Sequence, residues 1–478
     1  MSTKLLERRT LLKSLGQSLI AAPLFKRVAS AQTKSAAAKP TVRASRPKRA
    51  IALNVRDFGA KGDSSARDTA AIQQAIDRCG VLGGGEVLVP AGNYLTGAIQ
   101  LRSRVLLRLE KGAILTGTPD FDDYPVTQVR WEGRWIQGHT ALIYAFDVTD
   151  TGVVGPGSIV GNNALGGRPA VPGQPARWGP SSLRHPALIE PINCTNLRFE
   201  DFSTSYHLMW SLHPTCCRDI TIRNLTIRST GGNGDGIDID SCQHVKIDNC
   251  DIATGDDCIS LKSGRGAEGY AQLNTTEDVT ITNCTFADSI FACIGIGSET
   301  SGGIRNVRID NCKFTAAKTF AVYIKSRPGR GAFIEDITAT NLDIKGMAGG
   351  FLRFNILNSG IQDADPVPGD EGIPTIRNFR FSNIHVDNVP VLVDGSSIHP
   401  HKPLMGFTLA NITGTCQKGI MLANIRDAVI RDIKVTGYSG PLLSIANVTG
   451  TGLKGATVVE PPKVPEDIPL PATPYKLH

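Results

Sequence analysis

The chain has few aromatic residues and no long apolar run. Aromatic residues make up 6% of its 478 positions, whereas glycine occurs 50 times. This balance favours many short strands and turns over helices. No run beyond the N-terminal segment reaches the ~18 apolar residues that a transmembrane helix needs, which argues against a membrane-spanning protein. A hydrophobic content of 41% indicates a large buried core. The length suggests two or three domains, although one elongated β domain can also be this long.

Residues 51–478 also lack the positive charge that the net charge of the whole chain suggests. A formal net charge of +7 by itself indicates a polyanionic partner such as nucleic acid. Residues 1–31 carry +5 and residues 32–50 carry +6, so residues 51–478 carry about −4. We therefore expect no nucleic-acid partner for the folded body.

The first residues have the features of an export signal. Arg8 and Arg9 precede a modest apolar run, and Ala29 and Ala31 form the small-residue pattern of a signal-peptidase site. The pattern resembles a bacterial twin-arginine signal. We predict a signal peptide over residues 1–31, a flexible linker over 32–50, and a periplasmic or extracellular monomer that has no membrane contact after processing.

The eleven cysteines are an odd number, and their spacing does not favour a disulfide framework. Four of them directly follow an asparagine: Cys194, Cys250, Cys284 and Cys312. We predict mostly buried thiols stacked at equivalent positions of a repeat, and leave open whether any of them pair.

A recurring phrase dominates the chain from about residue 190, as in "QHVKIDNCDIAT" and "EDVTITNCTFAD". Most intervals between its anchor asparagines are 25 to 34 residues, and one is 42. Such a period is typical of a solenoid. The anchors are Asn193, Asn224, Asn249, Asn283, Asn311, Asn341, Asn383 and Asn411.

Within each repeat, apolar and polar residues alternate, which is the period of a strand. No helical pattern lies between the repeats, so βαβ packing is disfavoured. A β-sandwich or propeller would need hairpin signals such as Asn-Gly, and these are sparse. We predict an all-β fold, a single-stranded right-handed parallel β-helix over residues 51–455, with an inward asparagine ladder at its turns.

Three segments depart from the repeat. Ser64 to Gly80 places Ala71, Ile72, Ala75, Ile76 and Cys79 on one helical face, which predicts an N-terminal capping helix with Ser65 or Asp68 as N-cap and Gly80 as its stop. Residues 456–478 form a proline-rich C-terminal tail. Residues 360–374 are acidic and predict a long loop at the rim of a groove.

Two adjacent carboxylates, Asp256 and Asp257, lie about one coil after Asp235. Stacked coils are ~4.8 Å apart, so the three carboxylates are predicted to meet on one face. Such crowding raises the pKa of at least one of them, as glycosidic hydrolysis requires. The alternatives are a solvated turn and a calcium site.

The chain resembles glycoside hydrolase family 28, the polygalacturonases and rhamnogalacturonan hydrolases, through four ordered motifs. These are "NGDGIDID", "TGDDCISLKSGRG", "IGIGSETSGGIRNV" and "YIKSRPGRG". The resemblance implies inverting hydrolysis of α-linked galacturonate-containing pectin without metal or cofactor. It implies that Asp256 is the general acid, that Asp235 and Asp257 activate water, and that Asn233 and Lys325 contact the substrate.

Two positions depart from that family. Its histidine falls on Phe291 or Ala292, and its arginine falls on Tyr323. Rhamnogalacturonan hydrolases depart at the same places, which favours a mixed or decorated pectic chain. His213, Tyr323, Arg327 and Arg330 are further candidate substrate contacts, each with a structural alternative. A polysaccharide lyase and a non-catalytic carbohydrate-binding β-helix remain as alternative functions.

Overall fold

The computed structural model describes residues 51–165, 181, 183–207, 209–229, 231–461 and 463–464. The predicted signal peptide and linker lie outside these residues, as does most of the C-terminal tail. The described helices are α1 (Thr69–Val81) and α2 (Gly266–Gln272).

Short strands make up most of the described chain. In chain order they are β1 (Ala52–Asn54), β2 (Asp63–Arg67), β3 (Gly85–Val89), β4 (Gly92–Thr96), β5 (Ile99–Gln100), β6 (Val105–Leu109), β7 (Ala113–Gly117), β8 (Val126–Trp131), β9 (Arg134–His139), β10 (Ile143–Phe146), β11 (Thr149–Val154), β12 (Ser158–Val160), β13 (Ile189–Ile192), β14 (Thr195–Glu200), β15 (Ser203–Ser205), β16 (Arg218–Arg223), β17 (Thr226–Arg228), β18 (Ile237–Asp240), β19 (Gln243–Asp248), β20 (Asp251–Thr254), β21 (Ile259–Lys262), β22 (Thr276–Thr282), β23 (Thr285–Ser289), β24 (Ile294–Ile296), β25 (Ile304–Phe314), β26 (Phe320–Lys325), β27 (Phe333–Lys345), β28 (Gly350–Asn355), β29 (Thr375–Ser397), β30 (Leu404–Thr436), β31 (Leu443–Thr451) and β32 (Thr457–Val458).

These strands stack in three parallel ladders. The first ladder runs β1, β3, β6, β11, β14, β16, β19, β22, β25, β27, β29 and β30. The second runs β2, β4, β7, β12, β15, β17, β20, β23 and β25. The third contains β5, β10 and β13, continues through bridges at Leu212 to β18, and then runs β21, β24, β26, β28, β29, β30, β31 and β32. Each coil contributes one strand to each ladder, so the fold is the predicted right-handed parallel β-helix.

Alternating side chains fill the interior of the coil. Ile220, Val245 and Val279 are successive partners in the first ladder, and each is at most 1% exposed. Equivalent apolar residues on every coil form one continuous core. Because a solenoid buries its core only by stacking, each coil is stabilised by its neighbours.

The asparagine ladder exists, but the prediction that it points inward was wrong. The anchor asparagines are exposed and lie in the left-handed region, with φ near 55°. Asn311 Nδ2 donates to Asn283 Oδ1 at 2.7 Å, and Asn249 Nδ2 donates to Asn224 Oδ1 at 2.8 Å. Asparagine tolerates positive φ better than most residues, and the bend turns its side chain outward along the stack.

All eleven cysteines are free thiols in the structure, and all but Cys216 are buried. The backbone N–H groups of Cys194 and Cys217 point at the sulfur atoms of Cys217 and Cys242 on the next coil, each at 3.3 Å. The thiols therefore stack along the helix axis, as the spacing predicted.

Helix α1 begins after Asp68, the second of the two predicted N-caps, and ends later than predicted. Residues 63–67 form β2, Asp68 is the N-cap, and Gly80 lies inside the helix. The carboxylate of Asp68 accepts hydrogen bonds from the backbone of Lys61 and Gly62 instead of capping α1. The helix packs its buried face against β1, β3, β5 and β6. Its role as a solenoid cap stays a prediction.

Two segments outside the coils lie beside the third ladder. Strands β8 and β9 form an antiparallel hairpin, which the repeat pattern did not reveal. The loop over residues 360–374 is anchored by Asp363, which is 1% exposed and pairs with Arg134, Arg265 and Arg330 at 2.8 to 3.1 Å. Among the described residues, no helix has the length and apolar character needed to cross a membrane.

Candidate active site

The three predicted carboxylates meet on the outer face of the third ladder. Strands β18 and β21 pair with Ile237 opposite Ile259, which places the turn containing Asp235 beside the turn containing Asp257. Each of Asp235, Asp256 and Asp257 contributes an oxygen that lies within 4.8 Å of the other two. The spacing of about one coil therefore brings them together as predicted.

Asp256 and Asp257 are adjacent but both reach the cluster because they lie in a turn before β21. Gly255 in that turn approaches the preceding coil so closely that any Cβ would collide with the carbonyl of Gly231. Only glycine fits this approach, which fixes the bend that aims both carboxylates at one place.

Asp257 has the contacts of an ionised carboxylate. Its Oδ2 accepts from Lys325 Nζ at 2.7 Å and from Ser260 Oγ at 3.3 Å. Its Oδ1 accepts from the backbone N–H of Ala292 at 3.1 Å. These three donors, one of which is an ammonium group, offset the cost of burying a carboxylate that is 2% exposed.

Asp256 is half-buried, whereas Asp235 is 3% exposed and Asp257 is 2% exposed. Desolvation, followed by the charge of Asp257, raises the pKa of Asp256 to about 6. A carboxyl group with a pKa of about 6 is protonated in mildly acidic solution and can donate a proton to a bound molecule.

A fourth carboxyl, Asp238, belongs to the same cluster and was missed. It is fully buried, it lies opposite Ser260 in the ladder, and burial raises its pKa to about 7. Burial and the neighbouring Asp238 also raise the pKa of Asp235 well above its usual value. The strand alternation in "IDID" contained the signal, because it places Asp238 on the outer face together with Asp240.

Lys262 is a second residue that sequence reasoning missed. Its Nζ lies 3.5 Å from Asp238 Oδ1, 3.6 Å from Glu299 Oε2 and 5.0 Å from the centre of the Trp210 ring. Burial acts to raise the pKa of Glu299, but Lys262 and nearby arginines hold it at about 2. Lys262 thus places a positive charge next to the buried carboxylates of the cluster.

An aromatic patch lies next to the cluster. The rings of Phe291 and Tyr323 stack at 5.8 Å, and Lys325 Nζ lies 4.8 Å from the centre of the Phe291 ring. Ala292 occupies the position opposite Asp257 and contributes its backbone N–H. Two of the predicted contact residues, Tyr323 and Lys325, therefore adjoin the trio.

Three other predicted contacts are buried side chains. His213 is 0% exposed, and its ring nitrogens bond to Glu190 and Thr215, so the expectation that it touches substrate was wrong. Arg330 is also 0% exposed, because it pairs with Asp363. Asn233 is 4% exposed, and its Nδ2 lies 3.1 Å from the sulfur of Met209.

The trio also has the donor atoms of a cation site, since carboxylate oxygens are preferred calcium ligands. Lys325 already occupies one oxygen of Asp257 and supplies a positive charge there. Lys262 supplies another beside Asp238. These two ammonium groups supply the positive charge that a divalent cation would otherwise supply.

Comparison with known proteins identifies the family of the chain. The profile of Glycosyl hydrolases family 28 matches residues 79–353. A probable polygalacturonase of Vitis vinifera is 29% identical over 375 residues, covering 76% of this chain and 74% of its own length. An exo-poly-alpha-D-galacturonosidase of Dickeya chrysanthemi is 26% identical, covering 72% of this chain and 64% of its own length.

Two solved structures share the fold. The family 28 exopolygalacturonase of Yersinia enterocolitica superposes with a TM-score of 0.73 at 22% identity, covering 84% of this chain and 78% of that one. The exopolygalacturonase of Thermotoga maritima gives a TM-score of 0.65 at 24% identity, covering 80% and 92%. The β-helix, its ordered motifs and the matched family profile together show that this chain is a glycoside hydrolase of family 28, the polygalacturonase family.

Proposed function

We propose that the protein hydrolyses α-glycosidic bonds in galacturonate-containing pectic polysaccharide. The observation that supports this most is the carboxylate trio, in which Asp256 alone is open to the outside and has a pKa of about 6. Burying carboxyl groups this close together lowers the free energy of unfolding. A protein that only binds sugar does not need such a group.

In the proposed reaction Asp256 gives its proton to the glycosidic oxygen as the bond to the anomeric carbon breaks. A water molecule attacks that carbon from the other side and passes a proton to the opposing carboxylates. Of these two, Asp257 has the contacts of an ionised acceptor, whereas the pKa of Asp235 is raised. We therefore assign proton acceptance to Asp257 and water positioning to Asp235.

The proposed stereochemical course is inversion, as the family resemblance implies. Inverting carboxyl pairs are typically ~6.5–9.5 Å apart, whereas retaining pairs are ~5–5.5 Å apart. The nearest oxygens here lie within 4.8 Å, so the trio is tighter than a typical inverting pair. Proton NMR of the first product anomer measures this directly: the inverted anomer supports the proposal, and the retained anomer contradicts it.

The proposed substrate is a mixed or decorated chain such as rhamnogalacturonan. Beside the trio, the half-buried Phe291 stacks on Tyr323, which is 7% exposed, at positions where the family resemblance implies a histidine and an arginine. Aromatic rings suit the apolar face of a neutral sugar, whereas a uronate would prefer a cation. We therefore expect rhamnogalacturonan to be cut faster than homogalacturonan.

Product analysis on a panel of pectic polymers tests this proposal. Hydrolysis gives new reducing ends without an unsaturated, ultraviolet-absorbing product, and it persists in chelator. An unsaturated product that disappears with chelator would instead support the lyase alternative. Faster release from homogalacturonan would contradict the substrate preference while leaving the hydrolase assignment in place.

We further propose that the chain is exported through a twin-arginine signal over residues 1–31 and acts as a monomer. The paired arginines and the small-residue pattern support the first proposal. N-terminal sequencing of the exported protein, which should begin near Gln32, and its sedimentation behaviour test the two proposals.

A further inference from the structure

One arginine on the same outer face has no place in the reaction described above. In the third ladder Ser260 pairs with Gly295, Gly295 pairs with Tyr323, and Tyr323 pairs with Arg353. These positions form one outward column that begins beside Asp257, to which Ser260 donates a hydrogen bond. Arg353 lies three rungs along this column, or about 14 Å away at ~4.8 Å a rung.

The outward column lies beside the carboxylate cluster. A side chain at Gly295 would collide with Asp257 Oδ2 and crowd Lys325 Nζ, which shows that this position opens onto the carboxylate cluster. The next member, Tyr323, stacks against Phe291. A sugar chain lying along the ladder from Asp256 would therefore pass first over the aromatic patch and then over Arg353.

The guanidinium of Arg353 is held in place, but its hydrogen-bonding capacity is mostly unused. It lies 5.4 Å from the centre of the Tyr323 ring and 5.6 Å from that of Phe320. Its one ionic contact is long, with Nε 3.5 Å from Asp394 Oδ2. In the described part of the chain no hydrogen bond ends on this guanidinium, and the side chain is 35% exposed.

We propose that Arg353 is a specificity-determining residue that binds the carboxylate of a uronic acid one sugar or more beyond the aromatic patch. The contacts with the Tyr323 and Phe320 rings restrict the position of the guanidinium before binding. A planar fork of donors matches a carboxylate in two parallel hydrogen bonds. The arrangement places an apolar surface next to the cut and a cation after it, which fits a chain that combines neutral and acidic sugars.

This inference rests on the proposed function, so its test separates binding from turnover. The inactive variant Asp256→Asn is titrated calorimetrically with rhamnogalacturonan oligosaccharides and with the same oligosaccharides after carboxyl reduction. Adding Arg353→Gln should weaken binding of the acidic form about 10- to 50-fold and change binding of the neutral form less than about twofold. Arg353→Lys should give an intermediate loss, because it keeps the charge without the fork.

The matched control is Arg377→Gln in the Asp256→Asn background. Arg377 also pairs with a carboxylate, at 2.6 Å from Glu335, but it lies on the first ladder. The control should bind both forms as the parent does. The inference would be overturned if Arg353→Gln weakened binding of the acidic and the carboxyl-reduced oligosaccharides equally, or did not weaken it. It would also be overturned if the Asp256→Asn parent bound no acidic oligosaccharide. A wild-type chain that cleaves no pectic polymer would instead overturn the proposed function.

Discussion

At the scale of single residues, exposure separates Asp256 from its neighbours. Asp235, Asp238 and Asp257 are each at most 3% exposed, whereas Asp256 opens to the outside. Desolvation and the charge of Asp257 raise its pKa to about 6 while leaving it reachable. The same turn thus provides both the raised pKa and the access that a proton donor needs.

The first prediction concerns the pH dependence of hydrolysis. Because Asp256 must hold a proton to act as the acid, kcat/KM should fall as the pH rises through about 6, approaching tenfold per pH unit above it. Initial rates between pH 4 and pH 8 in buffers of constant ionic strength measure this. A rate that stays level up to pH 8 would contradict the assignment of Asp256.

The second prediction concerns Asp238 and stability. Its pKa is raised from 3.8 to about 7 in the folded chain, so the native state binds more protons than the unfolded state between these values. That stability is present at low pH and is lost as the pH rises across this window. Asp238→Asn removes the effect and should stabilise the protein at pH 7 by on the order of 1 kcal/mol.

Thermal unfolding at pH 4 and pH 7 checks this prediction. The variant should show a smaller decrease in Tm between the two pH values than the wild-type protein. The exposed Asp432→Asn is a matched control, because its carboxylate contacts only the neighbouring Arg431 and no shift of its Tm difference is expected. A larger decrease in Asp238→Asn than in wild type would contradict the account.

At the scale of elements, the exposed asparagine ladder stabilises the turns between the first two ladders. Asn311 lies at φ 53° and bonds to Asn283 on the preceding coil. Asn311→Ala loses the hydrogen bond and replaces asparagine with alanine, which tolerates the left-handed region less well, so we expect a loss of about 1–2 kcal/mol in the free energy of unfolding. Asn311→Gly keeps the backbone conformation at lower cost. Denaturant unfolding should rank wild type above Gly and Gly above Ala, and the reverse order of the two variants would contradict this reading.

The buried carboxylate of Asp363 anchors the acidic loop to three arginines from separate segments. Asp363→Ala leaves Arg134, Arg265 and Arg330 without that partner and should cost about 3–5 kcal/mol in the free energy of unfolding. Asp365→Ala is the control, since Asp365 is largely exposed and should cost less than about 1 kcal/mol. Equal costs in denaturant unfolding would contradict the anchoring role.

The sequence predicted the elements whose residues follow a local, repeating pattern, and it did not predict those outside the repeat. The strands repeat a local alternation with a fixed period, so their stacking and the meeting of Asp235 with Asp257 could be predicted. The hairpin β8–β9 was missed because it interrupts the repeat, although only Glu132 and Gly133 separate its two strands. The anchor at Asp363 could not be predicted, because its partner Arg134 lies 229 residues away in the chain and no repeat relates the two. His213 and Arg330 were misplaced because a motif gives position along the chain but not burial.

At the scale of the whole molecule, stacking alone supports the fold. All eleven cysteines are free, so no covalent link joins one coil to another. Stability should therefore not depend on the redox state of the solution, in contrast with disulfide-dependent secreted proteins. Tm measured with and without dithiothreitol should agree within about 1 °C. A clear decrease in reductant would show a disulfide that the structure does not contain.

The central claim is that the trio on the third ladder hydrolyses a uronate-containing chain. Its most direct test is the rate of reducing-end release from rhamnogalacturonan and from homogalacturonan by the wild-type protein and by Asp256→Asn. The account predicts that wild type releases reducing ends and that the variant loses at least about 100-fold in rate with an unchanged far-ultraviolet circular dichroism spectrum. Undiminished turnover by a folded Asp256→Asn protein would contradict it.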